Sequence, residues 1–93
     1  MKRELLDPDE LDAAIHNLPG WSIDDNFLKC RYEFANFAEA LAFVNTVGGL
    51  AETADHHPDI TFGWGYAEIA LTTHDRGGIT DLDVNLAQRI EMI

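Results

Sequence analysis

Three histidines, His56, His57 and His74, lie in the second half of the chain together with the carboxylates Glu52 and Asp83. An imidazole has an ordinary pKa of about 6.5, so it can give or take a proton near neutrality. A neighbouring carboxylate can orient an imidazole and tune its pKa. These titratable groups are too numerous to be explained as ordinary surface residues. We therefore interpret this set as a candidate acid-base site.

Each of these side chains also has an ordinary structural interpretation. A histidine that precedes a proline, as His57 does, can satisfy backbone groups at a junction. Glu52 fits a solvated helix position, and Asp83 fits the start of a helix, where the helix dipole favours a carboxylate. Trp21 and Trp64 offer flat surfaces for a planar heterocycle, although tryptophan is more often found in a core or an interface. The pattern alone leaves both interpretations open.

Other chemistries fit the sequence less well. A zinc site stays a minor alternative, because adjacent histidines chelate poorly from a strand and no His-Glu-x-x-His or paired cysteine motif is present. Cys30 falls on the apolar side of a predicted strand, where a thiol is usually inert. Gly77 and Gly78 lack the adjoining Lys-Ser or Lys-Thr pair of a phosphate-binding loop.

The composition predicts one acidic globular domain over residues 1–93. The chain has 46% hydrophobic residues and a formal charge of -11, from 17 acidic and 6 basic side chains. Binding to nucleic acid or to an anionic membrane needs clustered Lys and Arg, so neither is expected. The acidic excess would also suit a salty cell interior, where screening weakens self-repulsion. Composition does not decide whether the acidic charge has this origin.

The cysteine count and the hydropathy pattern favour a cytoplasmic location. Cys30 is the only cysteine, so no internal disulfide can form and a reducing compartment is expected. The first ten residues carry no apolar run of the kind found in a signal peptide, and no stretch approaches membrane-spanning length.

Hydrophobic periodicity predicts the element order α-β-β-α-β-β-α. Asp7 and Glu10 resemble a capping box at the first helix, and Asn36 caps the second. Gly48-Gly49 inside the second helix suggests a break or the close approach of another backbone. The predicted elements are helices over 8–18, 37–54 and 81–93, and strands over 21–23, 27–34, 60–64 and 67–74. The histidine pair then lies at a helix-to-strand junction, because proline cannot continue the helix.

This order predicts an α+β fold, an antiparallel sheet with helices packed on one face. The spacing of seven residues resembles the signature of the pterin-4a-carbinolamine dehydratase family: Glu52, His56, His57, Pro58, Trp64, His74 and Asp83. The flanking segments 72–75 and 77–80, and Trp21 after Gly20, are also similar to that family. The resemblance spans roughly residues 5–92. The segment 62–66 departs from it, being richer in glycine and aromatic residues.

The resemblance implies a four-stranded antiparallel sheet with three helices on one face, assembled as a homodimer or homotetramer. It implies the dehydration of 4a-hydroxytetrahydropterin to quinonoid dihydropterin, with a pterin as substrate and with no metal or organic cofactor. It also implies a role for each matching residue. His56 and His74 would be the acid and base, and His57 would bind the pterin. Glu52 and Asp83 would hold the histidines in place. Trp21 would form a wall of the pocket, and Pro58 and Trp64 would support that pocket.

A second hypothesis comes from a different class of function. The same fold also serves as a binding or assembly module for protein partners. That role would need an exposed apolar patch on a helix face, whereas catalysis would need the histidines.

Overall fold

Helices and strands follow one another in the predicted order α-β-β-α-β-β-α. The computed structural model describes residues 4–93. Its elements are helix α1 (Pro8–His16), strands β1 (Trp21–Asp24) and β2 (Phe27–Glu33), helix α2 (Phe37–Ala54), strands β3 (Asp59–Gly63) and β4 (Tyr66–Leu71), a 3-10 turn (His74–Arg76) and helix α3 (Asp81–Glu91). Within residues 4–93, no helix has the length and apolar character needed to cross a bilayer.

The four strands form one antiparallel sheet in the order β1-β2-β4-β3. β1 and β2 make a hairpin whose turn residues, Asp25 and Asn26, have φ of 51° and 65°. Turns with positive φ at both central positions match the twist of paired strands, which explains an Asp-Asn sequence here. β4 lies between β2 and β3, and Leu28 of β2 faces Leu71 of β4 in the register.

Alternation along the strands directs apolar side chains to the helix-covered face of the sheet. Leu28 and Cys30 of β2 are buried, whereas Arg31 is exposed on the opposite face. The same face carries Glu68, which accepts a hydrogen bond from Arg31. The buried core contains Leu18, Trp21, Leu28, Cys30, Val47, Ala51, Ile69, Leu71, Ile79, Leu86, Ala87 and Ile90. The predicted α+β class with helices on one face is confirmed.

Helix starts are defined by side-chain caps, as the sequence predicts. The Asp7 carboxylate accepts from the Glu10 N–H at 2.8 Å, and the Glu10 side chain accepts from the Asp7 N–H at 2.9 Å. The Asn36 side chain accepts from the Glu39 N–H at 2.9 Å. These bonds satisfy donors that the first turn of a helix leaves free.

Helix α2 runs without a break through Gly48 and Gly49, so the predicted interruption is wrong. The alternative, close approach of another backbone, is not found among residues 4–93, because a Cβ at either position would meet no atom within 4 Å. Each glycine costs about 1 kcal/mol relative to alanine in a helix. The helix tolerates this cost because its Asn36 cap and its buried residues Val47 and Ala51 hold it against the sheet.

Strand β4 ends at Leu71, earlier than the predicted strand over 67–74. The Thr73 N–H donates to the Gly78 carbonyl at 2.8 Å, and the Thr73 carbonyl accepts from the Arg76 N–H at 2.9 Å. These bonds turn the chain into the 3-10 segment instead of extending the sheet. The histidine that follows Thr73 therefore lies in this turn and not in a strand.

Other boundaries differ by small amounts. Helix α1 ends at His16, before the predicted end, and β1 continues to Asp24. β3 ends at Gly63, because the chain turns at Gly65, whose φ is +82°. Gly65 also packs closely, since an added Cβ would lie 3.1 Å from a backbone oxygen of Phe34.

Candidate functional site

A depression of about 300 Å³ lies between the end of α2 and the segment that follows β4. It brings together all three histidines of the candidate acid-base site. The residues that line it are Asp55, His56, His57, Thr72, Thr73, His74 and Asp75. Residues that are far apart in the sequence therefore meet in one depression.

The histidine pair lies at the predicted junction between α2 and β3. Helix α2 closes at Asp55, whose φ of 50° and ψ of 42° are left-handed, and the His56 N–H donates to the Ala51 carbonyl at 3.1 Å. Pro58 is half-buried and precedes β3. The left-handed cap and the proline end the helix and redirect the chain, which sends the two imidazoles to different partners.

His56 is held by a buried carboxylate. Its Nε2 lies 2.5 Å from Asp83 Oδ1, and its side chain is 12% exposed, whereas the Asp83 side chain is 0% exposed. A carboxylate on one ring nitrogen fixes the orientation of the ring and sets which nitrogen carries the proton. His56 lines the depression, and Nε2 is the ring nitrogen that contacts Asp83.

Asp83 is itself fully hydrogen-bonded inside the protein. Its Oδ2 accepts from the Thr80 N–H and from the Thr73 hydroxyl, each at 2.9 Å. Thr80 caps α3, and the Thr80 and Thr73 hydroxyl oxygens lie 2.8 Å apart. Three groups thus converge on one buried carboxylate, as buried polar groups require.

His57 contacts a carboxylate of a different kind. Its Nε2 pairs with Glu52 Oε2 in the last turns of α2, and both side chains are more than half exposed, at 56% and 77%. Exposed pairs are screened by water and contribute little to stability. The contact between His57 and Glu52 is therefore a weak one beside the depression.

His74 reaches the depression from the side opposite the helix. It opens the 3-10 turn, and its ring packs edge-to-face on Phe27, with 6.3 Å between ring centroids and 74° between planes. Phe27 begins β2, so the sheet positions this exposed imidazole.

The two tryptophans lie apart from the depression. Trp21 is 4% exposed in the core and packs edge-to-face on Tyr32, while its Nε1 has no hydrogen-bond partner among residues 4–93. Trp64 is 73% exposed in the turn between β3 and β4. Neither is among the residues that line the depression. The predicted role of Trp21 as a pocket wall and the supporting role of Trp64 therefore stay predictions.

Sequence reasoning missed Thr73 and Thr80 as parts of the site. The spacing of Thr80 and Asp83 did predict a helix cap, which the structure confirms as a capping box. The contact between Thr73 and Asp83 is tertiary and has no local signal. Burial of Cys30 raises the pKa of its thiol, in agreement with the prediction that it is inert. Among the described residues, no group of three His, Cys, Asp or Glu is arranged to hold a metal ion.

The fold and the site define a class of small α+β domains in which a histidine pair after a helix meets a third histidine beside an antiparallel sheet. Within that class, the chain belongs to the pterin-4a-carbinolamine dehydratase family, because the family model described as "Pterin 4 alpha carbinolamine dehydratase" matches residues 4–93. The predicted family is thereby confirmed.

Relatives span nearly the whole chain. A protein of Rubrobacter xylanophilus, provisionally named a pterin-4-alpha-carbinolamine dehydratase, is 46% identical over 89 residues, covering 95% of this chain and 83% of its own. A protein of Natronomonas pharaonis with the same provisional name is 44% identical over 86 residues, covering 92% and 91%.

Solved structures show the same fold. A "transcriptional coactivator/pterin dehydratase" from Brucella melitensis superposes with a TM-score of 0.91 at 27% identity, over 96% of this chain and 97% of that one. A pterin dehydratase-like protein described as a RuBisCO assembly factor in the alpha-carboxysome superposes with a TM-score of 0.64 at 25% identity, over 77% and 83%.

Proposed function

We propose that the protein is a hydro-lyase that dehydrates 4a-hydroxytetrahydrobiopterin to quinonoid dihydropterin and water, and so recycles a tetrahydropterin. The observation that carries this proposal is the meeting of His56 and His74 in one depression, with Asp83 fixing one nitrogen of His56. Membership of the family supports the substrate class. A volume of about 300 Å³ is at the lower end of what small-molecule sites use.

The reaction needs one proton delivered and one removed. The departing 4a-hydroxyl takes a proton and leaves as water, while the neighbouring ring nitrogen loses its proton as the new double bond forms. Two imidazoles in opposite protonation states supply this acid and base. His56 acts through Nδ1, because Asp83 occupies Nε2. His74 acts from the opposite side, and either assignment of acid and base is compatible with this geometry.

The remaining side chains would bind and orient the pterin. His57 would give up its exposed contact with Glu52 and bind the ring at the rim. Pro58 would hold the pair in place after α2. A role for Trp21 as a wall of the pocket rests on the family resemblance alone, since Trp21 lies in the core and does not line the depression. No cofactor is required, since the proton transfers balance without one.

The first experiment measures the ultraviolet decay of 4a-hydroxytetrahydropterin, generated by a hydroxylase, with and without the protein. The His56→Ala and His74→Ala variants should each slow the catalysed decay by about 10²- to 10⁴-fold, the usual contribution of one acid or base. His16→Ala is the matched control, because His16 is exposed on α1 and should leave the rate unchanged. Wild-type turnover in a folded double variant His56→Ala/His74→Ala would refute the proposal.

The same proposal includes a homodimer or homotetramer in the cytoplasm. Phe37 and Leu41 of α2 are exposed large apolar residues, and Phe37 stacks on Phe62 with ring centroids 5.5 Å apart. Such surface is typical of protein contacts. Light scattering coupled to gel filtration measures the mass, and replacing both exposed residues with serine should lower it.

A second candidate function is an assembly or partner-binding module. The exposed apolar residues of α2 favour it, and so do the names of the two structural relatives, a transcriptional coactivator/pterin dehydratase and a RuBisCO assembly factor. The two candidates respond to different changes. Catalysis depends on His56 and His74, whereas partner binding depends on Phe37 and Leu41. A folded protein that does not accelerate pterin dehydration would favour this second candidate.

A further inference from the structure

The hydroxyl of Thr73 belongs to a chain of hydrogen bonds that has one consistent direction. The Leu82 N–H donates to Thr80 Oγ1 at 3.2 Å. Asp83 accepts and does not donate when ionised, so the Thr73 proton points to Asp83 Oδ2. The Thr80 hydroxyl must then donate to Thr73 Oγ1, 2.8 Å away. Each hydroxyl gives one proton and receives one, and the chain ends on the carboxylate.

The helix cap of α3 does not require Thr73. The capping box is complete with the Thr80 side chain, the Thr80 N–H and Asp83. Thr73 adds a further donor to Asp83 Oδ2, from a segment outside the helix. Thr73 is 2% exposed, so water does not replace its hydroxyl from outside. A purely structural cap leaves this additional buried donor unexplained.

These hydrogen bonds also determine what the other oxygen of the Asp83 carboxylate, Oδ1, contacts. With Oδ2 occupied by Thr73 and Thr80, Oδ1 is the oxygen left for His56 Nε2. An oxygen that only accepts keeps the imidazole proton on Nε2. Without the Thr73 donor, the Thr80 N–H alone would hold Oδ2, and the carboxylate could rotate away from its contact with His56 Nε2. The proton of His56 would then distribute over both ring nitrogens.

We propose that Thr73 is a positioning residue, which orients Asp83 through its hydroxyl and thereby holds His56 as the Nε2–H tautomer with Nδ1 free in the depression. Its backbone leads directly into His74, so one residue connects the two imidazoles. The catalytic consequence rests on the proposed dehydratase function. The tautomer itself is a property of the free protein and does not depend on it.

The test compares Thr73→Val, Thr73→Ser and Thr73→Cys with the wild type. Two-dimensional ¹⁵N NMR of the histidine rings reports which nitrogen of His56 carries the proton in the free protein. We expect the Nε2–H form in the wild type, a mixture in Thr73→Val, and recovery in Thr73→Ser, which keeps the hydroxyl. Thr73→Cys has a weak donor and should be intermediate. If Thr73→Val does not fold, the test becomes the comparison of the His56 tautomer in Thr73→Cys with that in Thr73→Ser.

The kinetic arm uses the decay assay. Loss of one hydrogen bond to a charged group corresponds to a fall of about tenfold or somewhat more in kcat, with little change in KM. Tyr32→Phe is the matched control, since it removes a hydroxyl of a half-buried side chain that donates to the exposed Glu91 at 2.5 Å, away from the depression. It should lower stability without moving kcat or the His56 tautomer. An unchanged His56 spectrum in folded Thr73→Val overturns the proposal. A wild-type protein with the expected tautomer but no turnover refutes only the dehydratase function.

Discussion

At the scale of single residues, Asp83 connects the stability of the protein with its site. The carboxylate has no exposed surface and accepts from the Thr80 N–H and the Thr73 hydroxyl while it holds His56. Asp83→Asn replaces one acceptor with an amide donor, which cannot satisfy all three neighbours. We expect the free energy of unfolding to fall by about 1–3 kcal/mol. Urea denaturation measures this change.

The matched control is Asp81→Asn. It removes a negative charge from the same first turn of α3, and Asp81 Oδ1 has no hydrogen-bond partner among the described residues. No hydrogen bond at Oδ1 is lost there, so the fall in the free energy of unfolding should stay within about 1 kcal/mol, the size of the dipole interaction. Equal losses in the two variants would mean that charge at the helix start, and not the hydrogen bonds of Asp83, is what matters.

Part of this site could be predicted from the sequence. The spacing of Thr80 and Asp83 is a local signal of a helix cap, and His57 with Pro58 marks a junction. The contact of Thr73 with Asp83 could not be predicted, because strand end and helix start meet only in the folded sheet. The roles of the tryptophans stay predictions for a similar reason, since their aromatic type does not specify what surrounds them.

At the scale of elements, the glycines of α2 give a direct prediction about stability. Gly49 is exposed in an unbroken helix, and an added Cβ would meet no atom within 4 Å. Gly49→Ala should therefore raise the free energy of unfolding by about 0.5–1 kcal/mol. Urea denaturation at fixed protein concentration measures the effect.

The contrasting variant is Gly77→Ala. Its Cβ would also meet no atom within 4 Å, but its φ is +74°. An alanine there takes a left-handed conformation at a cost of about 1–2 kcal/mol. Neither position is crowded, so a difference in the free energy of unfolding between Gly49→Ala and Gly77→Ala reflects the backbone conformation and not crowding. A destabilised Gly49→Ala variant would contradict the open space around α2.

The glycine pair also explains why the predicted break in α2 was wrong. Helix propensity is a weak local preference, whereas the Asn36 cap and the buried Val47 and Ala51 act on the whole helix. The end of β4 was misjudged for a similar reason. Apolar and polar residues alternate through Thr73, but backbone bonds with Gly78 and Arg76 turn the chain earlier.

At the scale of the whole molecule, charge should make stability depend on salt. The formal charge is -11, and few basic side chains offset it. Salt screens repulsion beyond about 10 Å at 0.1 M. We expect the urea midpoint to rise as sodium chloride is increased to about 0.5 M, because repulsion across the surface weakens.

Ion pairs on the surface oppose the expected rise of the urea midpoint with salt. Hydrogen bonds that Arg31 donates to Glu33 and Glu68 raise the pKa of its guanidinium, and salt weakens such exposed contacts. A midpoint that falls with salt would mean that these attractive pairs outweigh the repulsion. Sucrose, which carries no charge, is the control for general solvent effects.

The fold class was predictable, but the order of strands in the sheet was not. Period-two alternation in 27–34 and the turn around Gly63–Gly65 predicted the strand pairs β1-β2 and β3-β4, and both are confirmed. The pairing of β2 with β4 joins residues separated by the whole of α2. Hydrophobic pattern determines which side chains are buried, and it does not say which strands become neighbours.

The position of β4 between β2 and β3 has a consequence for a chain that is being synthesised. The first hairpin and α2 leave the ribosome before the central partner of β2 exists, since Leu28 pairs with Leu71. The contact of His56 with Asp83 can form only after Asp83, 27 residues later in the chain, has been synthesised. A nascent chain that stops before α3 would carry every histidine of the depression and still lack the group that orients one of them. The orientation of His56 by Asp83 is thus completed only when the start of α3 has been made.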